Sequence, residues 1–166
     1  ETDARVLGRT ARGVRALNLE EDDIVVGMVP VMENTTVLTV SENGQGRRTD
    51  PAEYRLQSRG GKGIKNYDTQ KNGPVAGVLA VGEEDDVILI SDDGIIIRIP
   101  VAEISTQSRY AGGVRVMRIG EGSRLVSLCR APHEDEEEAA AESEAPAEAE
   151  TPAEETADST GTPVEE

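Results

Sequence analysis

The chain repeats itself every fifty residues. Gly-Arg-Thr-Ala-Arg-Gly-Val at 8–14 returns as Ser-Arg-Gly-Gly-Lys-Gly-Ile at 58–64 and as Ser-Arg-Tyr-Ala-Gly-Gly-Val at 108–114. Arg9, Arg59 and Arg109 align without a gap, as do Gly13, Gly63 and Gly113. Val25-Val26-Gly27-Met28 matches Val75-Ala76-Gly77-Val78 and Leu125-Val126-Ser127-Leu128. Between them, Val37 to Ser41 with Gly44 matches Val87 to Ser91 with Gly94, and Ala52-Glu53 matches Ala102-Glu103. Short β-branched runs and Gly-rich turns at a period near fifty residues point to a radially repeated β architecture.

Within the middle copy four segments read as extended: 63–67, 75–81, 87–91 and 95–100. Asn72-Gly73 and Asp93-Gly94 suit tight hairpin turns, because Asn, Asp and Gly tolerate positive φ. Pro51-Ala52-Glu53-Tyr54 and Pro100-Val101-Ala102-Glu103-Ile104 read as short turns or single helical turns. Four strands per repeat is the blade of a propeller-like, all-β fold, and one blade buries too little to stand alone. Residues 1–133 are therefore expected to form a partial propeller of about two and a half four-stranded blades. The chain opens on Glu1 and not on Met, so a longer parent protein is expected.

Charge divides the chain differently. Of 33 acidic residues 14 lie in 134–166, which hold no basic residue; 19 acidic residues against 17 basic ones remain in 1–133. The net charge of −16 is thus a property of the tail and does not argue against a nucleic-acid partner for the body. The tail is mostly Ala, Glu, Pro and Thr with one Val and no aromatic, and is expected to be disordered. No stretch approaches the roughly 20 apolar residues of a membrane span. One cysteine, Cys129, forms no internal disulfide and suits a reducing, cytoplasmic location, and with His133 as the one histidine no metal site or Cys–His pair can be assembled.

At Gln57-Ser58-Arg59-Gly60-Gly61-Lys62-Gly63 the sequence resembles the seven-residue box of the C-terminal domain of bacterial DNA gyrase A subunits, with Ser58 where the box has Arg. Gly44-Gln45-Gly46-Arg47-Arg48-Thr49, running on to Glu53-Tyr54, and the acidic tail are similar to that family too. The resemblance implies a six-bladed β-pinwheel whose basic rim bends double-stranded DNA around itself. It implies a parent type II topoisomerase that introduces negative supercoils. It also implies the rest of the gyrase A subunit, together with the gyrase B subunit, as partners (two of each), with ATP and Mg used elsewhere in the assembly. The fully basic box usually lies in the first blade, so the copy at 57–63 is expected to be a secondary one.

The residues point the same way without the family. Arg47, Arg48, Arg55, Arg59, Lys62 and Lys65 fall within nineteen residues, opposed by Asp50 and Glu53. Gly60, Gly61 and Gly63 let the backbone approach a phosphate, and Gln57, Arg9, Arg12 and Arg109 complete the candidate DNA-binding set. With no recognition helix, no zinc-finger spacing and few aromatics, backbone binding with bending is the expected mode. Arg9 and Arg109 equally suit pairing with a neighbouring carboxylate. The acidic clusters at 20–23 and 83–86 could mimic a cation site but fit solvated turns better. Tyr110 follows an Arg, as a DNA-cutting tyrosine does, yet it lies inside a blade repeat, and no catalytic residue is expected in this chain. The alternatives are the related domain of the topoisomerase IV A subunit and a propeller-like scaffold for peptide partners.

Overall fold

The structure, a computed structural model, describes residues 6–133; the expectation for the tail at 134–166 lies outside the described residues. The described residues form seven strands: β1 (Thr36–Ser41), β2 (Gln45–Thr49), β3 (Val75–Val81), β4 (Asp85–Ser91), β5 (Ile96–Pro100), β6 (Val114–Arg115) and β7 (Leu125–Pro132). They form an antiparallel four-stranded sheet in the order β3-β1-β2-β6 and a three-stranded sheet in the order β5-β4-β7. The all-β, propeller-type architecture read from the repeat is therefore present.

The fifty-residue period survives as conformation. Gly13, Gly63 and Gly113 have φ of 84°, 78° and 85°, the left-handed region that a side chain disfavours, so Gly recurs where the backbone demands it. Glu42 N–H donates to Pro74 O at 2.8 Å, and fifty residues on Asp92 N–H donates to Arg124 O at 3.0 Å. The ladder even slips at matching places, between Val40 and Ser41 and between Ile90 and Ser91.

Within a copy, β1 pairs with β2 and β4 with β5, but the strand that follows each turn does not join its own copy. β3 follows the middle turn but lies on β1 of the preceding copy, with Leu38 opposite Leu79, and β7 lies likewise on β4, with Leu89 opposite Leu128. The far edge of β2 takes β6 from the third copy, with Gly46 opposite Val114. Each sheet thus joins neighbouring repeats, which ties the repeats together through backbone hydrogen bonds as well as packing.

Three local expectations differ. The segment 63–67 is not a strand; of this repeat position, the third copy alone forms one, as β6. Asn72-Gly73 closes a single helical turn, Thr69–Asn72, with Gly73 at φ 82°, in place of a hairpin turn. The segment 25–28, the first-copy counterpart of β3 and β7, is no strand either: Ile24, Val25, Met28 and Val31 are exposed. The turns at Pro51–Glu53 and Val101–Glu103 are 3-10 turns, as expected, the first capped by the Asp50 side chain.

One apolar cluster joins the two sheets. Leu38 and Val40 of β1, Val81 of β3, Val87 and Leu89 of β4 and Leu125 of β7 are buried together with Val101, Ile104 and Met117. Val, Leu, Ile and Met117 fill it without a Phe or Trp, which suits closely approaching strands. Gly77 is one consequence: a Cβ there would meet the Leu128 side chain at 2.2 Å, so β3 and β7 pack at a distance that requires Gly.

Candidate nucleic-acid interface

The box-like turn is an exposed loop held from one side. Gly60 and Gly63, both at φ 78°, reverse the chain, and a Cβ at either would meet nothing within 4 Å, so their glycines answer to φ and not to crowding. The first-copy segment 16–18 runs alongside: Gly60 N–H donates to Ala16 O at 2.7 Å, Asn18 N–H to Gly61 O at 2.9 Å, and the Asn18 amide to Gly60 O at 2.6 Å. Arg15 donates to Asn18 Oδ1 at 3.1 Å, so a further cation is brought to the same edge. Backbone hydrogen bonds therefore lay the second turn against the segment that follows the first.

Gln57, Arg59, Lys62 and Gly63 are exposed around this turn, as are Gly61 and the flanking Arg55 and Lys65, whereas Gly60 is half-buried. Lys62 Nζ stands 3.4 Å from Glu20 Oε1, both side chains open to solvent, and Lys65 Nζ stands 3.5 Å from Asp68. Exposed pairs of this kind contribute about 0–1 kcal/mol, so a phosphate competes for either lysine at little cost. Arg9 and Arg12 are exposed on the first-copy turn.

Two candidates belong elsewhere. Arg47 is 1% exposed, and its guanidinium donates to Thr49 Oγ1, Ala111 O and Asn66 O. Arg48, 3% exposed, donates to Ile104 O and meets the Glu83 carboxylate at 2.6 Å. Both lie on β2, whose two edges are occupied by β1 and β6, and both side chains are buried. Neither is presented to a DNA surface; nearness in sequence to the basic cluster is what placed them in the set.

Arg109 is half-buried. It donates to Lys65 O at 2.6 Å and to the Tyr110 hydroxyl at 2.6 Å, its guanidinium stacked 4.5 Å from the Tyr110 ring centroid. The expected carboxylate partner is replaced by a carbonyl and a ring, which leaves Arg109 as a bridge between the third turn and the second. Tyr110 is 81% exposed on that turn.

The acidic clusters divide as well. The one at 20–23 is an exposed turn closed by Asp23 N–H on Glu20 O. Asp86, by contrast, is buried, with Arg98 Nε at 2.7 Å and His133 Nδ1 at 2.6 Å. Burial pushes its carboxyl up, but the hydrogen bonds and charges of His133 and Arg98 together bring it below the ordinary range. Among the described residues no group of three or more His, Cys, Asp or Glu is arranged to hold a metal ion, and no helix is long and apolar enough to cross a membrane.

Two basic positions escaped the sequence reading although the repeat carried them. Lys65 has Arg15 and Arg115 at the same repeat position, and all three are exposed. Every copy of the turn is thus bracketed by basic residues, at 9, 59 and 109 before it and at 15, 65 and 115 after it.

The family model described as "DNA gyrase C-terminal domain, beta-propeller" matches residues 1–32, 35–81 and 85–128. The chain belongs to the DNA gyrase C-terminal β-propeller family. The DNA gyrase A subunit of Helicobacter pylori is 47% identical over 57 residues, 34% of this chain and 7% of that protein. Its counterpart from Staphylococcus epidermidis is 47% identical over 60 residues, 35% of this chain and again 7% of the relative. The matched stretches are therefore small parts of those proteins.

A solved DNA gyrase A C-terminal domain superposes with a TM-score of 0.68 at 32% identity, covering 77% of this chain and 44% of that one. The C-terminal domain of DNA topoisomerase IV gives a TM-score of 0.72 at 23% identity, covering 86% of this chain and 45% of that one, which is a likeness of fold.

Proposed function

We propose that this chain is part of the DNA-wrapping domain of a gyrase A subunit, where it binds and bends duplex DNA along its Gly-rich turns. The observation that carries the reading is the basic bracket around each turn, repeated in three successive copies and exposed at Arg9, Arg15, Arg59, Lys65 and Arg115. A cation pattern that recurs once per blade offers phosphates a contact at each step around a propeller, and contacts spaced along a curve favour bent over straight DNA. Bending a 20–30 bp site by 40–90° costs on the order of 1–6 kcal/mol, which a series of phosphate contacts offsets. The turns offer Lys, Arg and backbone N–H groups, which position a duplex without reading its sequence.

On this reading the parent is a type II topoisomerase that introduces negative supercoils, with the remainder of the gyrase A subunit, together with the gyrase B subunit, as partners in the bacterial cytoplasm. ATP and Mg would be bound there, and this chain supplies wrapping and no catalytic group. The test is duplex affinity across a salt series. Six phosphate contacts imply a loss on the order of 10³-fold between roughly 50 and 200 mM salt. Equal affinity at both ends would exclude a phosphate-led interface and favour a scaffold for apolar peptides.

A further inference from the structure

We infer that Arg47 is a positioning residue for the DNA path: from the buried side it clamps the second turn to the third, and so fixes the angle between two successive basic turns. The inference rests on the DNA-wrapping reading above. The guanidinium of Arg47 reaches three elements at once. Its Nη1 donates to Ala111 O at 2.5 Å, at the third turn; its Nη2 donates to Asn66 O at 2.5 Å, beside Lys65; its Nε donates to Thr49 Oγ1 at 3.0 Å, on its own strand. The Tyr67 ring centroid lies 5.4 Å from its central carbon. Arg109 of the third turn adds a bond to Lys65 O, so the carbonyls of Lys65 and Asn66 each accept from a guanidinium.

The segment around Asn66 is fixed as well. Its side chain donates to Thr39 Oγ1 at 2.9 Å and accepts from the Tyr54 hydroxyl at 2.6 Å. A planar fork with five donors in fixed directions is the side chain that can hold carbonyls of separate segments at a set geometry, which a lysine ammonium cannot.

The blade itself does not require this arginine. At the same repeat position β5 carries Ile97, opposite Leu89 in a ladder that forms without it. The counterparts of Tyr54, Asn66 and Tyr67 one repeat on are Ile104, Val116 and Met117, so the polar set is confined to the junction between the second and third turns. Burying a guanidinium is costly, and an apolar residue of similar size is often as stable or more so, which separates its role in the junction from a role in stability.

The experiment compares the 166-residue chain with Arg47→Met, Arg47→Lys and Thr49→Val, each checked by thermal melting. Two DNA ligands are used: a duplex of about 12 bp, roughly one helical turn, and one of about 40 bp carrying a donor and an acceptor dye at its ends, long enough to report bending. The wild-type chain should bind both and raise energy transfer on the longer. Folded Arg47→Met should bind the short duplex within about twofold of wild type, because the phosphate contacts are untouched, and should lose most of the bend-dependent transfer. Arg47→Lys should not rescue it. Thr49→Val removes one of the three acceptors on a buried, nearly isosteric site and should lose part of the transfer; it decides the matter if Arg47→Met fails to melt cooperatively. Unchanged transfer in the folded variants would overturn the clamp, as would rescue by lysine or a fall in short-duplex affinity that matches the loss of bending. A wild-type chain that binds DNA but leaves it straight, or binds none, overturns the wrapping reading and the clamp with it.

Discussion

Gly61 and Gly63 sit two residues apart in the same turn and should answer an added methyl differently. Gly63 has φ 78°, where a Cβ costs about 1–2 kcal/mol, while Gly61 lacks positive φ and a Cβ there meets nothing nearer than 3.7 Å. Gly63→Ala should therefore lower the melting temperature and Gly61→Ala leave it nearly unchanged; equal losses would mean that the turn is not set by φ. The carboxylates define an acid-side weakness. Glu83 is held below its ordinary range by the hydrogen bond from Arg48 and then by its charge, Asp86 by His133 and Arg98 against its burial, and Asp93 by the Ser91 hydroxyl. A carboxyl whose folded pKa is depressed contributes stability that is present above its unfolded value, near 4, and lost as pH falls through the folded value. Melts between about pH 7 and 3 should stay level until roughly pH 5 and then fall, and Asp86→Asn should flatten that fall. An unaltered acid limb in Asp86→Asn would show that the pair with Arg98 and His133 contributes nothing to the difference.

Amide exchange should separate elements that look alike in sequence. Val75–Val81 and Leu125–Pro132 lie in ladders, on β1 and β4, and their amides should be protected; 25–31 carries the same pattern without a pairing strand and should exchange quickly. Slow exchange at 25–31 would reveal another pairing partner, such as a second copy of the chain. This contrast also marks what the sequence could reveal. The bounds of β3 and the turns at 51–53 and 101–103 were legible because Val-rich runs, Pro and Gly act locally. The pairing of β3 with the copy before it was not, since the period fixes where strands recur and says nothing of which neighbours they join. The exposed box was legible from its glycines and its Arg and Lys, whereas Arg47 and Arg48 were read with it because their burial depends on β6 and Ile104, residues some sixty positions away. Conversely Arg15 and Arg115 followed from the same repeat position as Lys65 and were passed over, since a lone Arg outside a Gly-rich turn draws no notice on its own.

At the scale of the whole molecule, a body proposed to bind a polyanion is followed by a polyanionic segment. Residues 134–166 carry 14 carboxylates and no positive charge, against a body close to neutral with exposed cations around its turns. Blocks of like charge of this kind engage basic surfaces, and a tether raises their effective concentration into the mM range for short linkers. The terminus should therefore compete with DNA for the body. Residues 1–133 alone should bind duplex DNA more tightly than 1–166, and the gap should close as salt rises, because both interactions are screened within a Debye length of about 8–10 Å near physiological salt. Long-range repulsion between the terminus and DNA would narrow with salt in the same way. A third protein separates the two: the same acidic residues joined through a longer, stiff spacer that keeps them from reaching the turns. Contact with the body predicts that this protein binds DNA nearly as well as 1–133, whereas repulsion predicts that it binds as weakly as 1–166. Removing Arg59 and Lys62 should also shrink the effect of the terminus if it docks on the second turn. If the gap between 1–133 and 1–166 is the same with and without those two cations, the terminus acts on DNA and not on this surface.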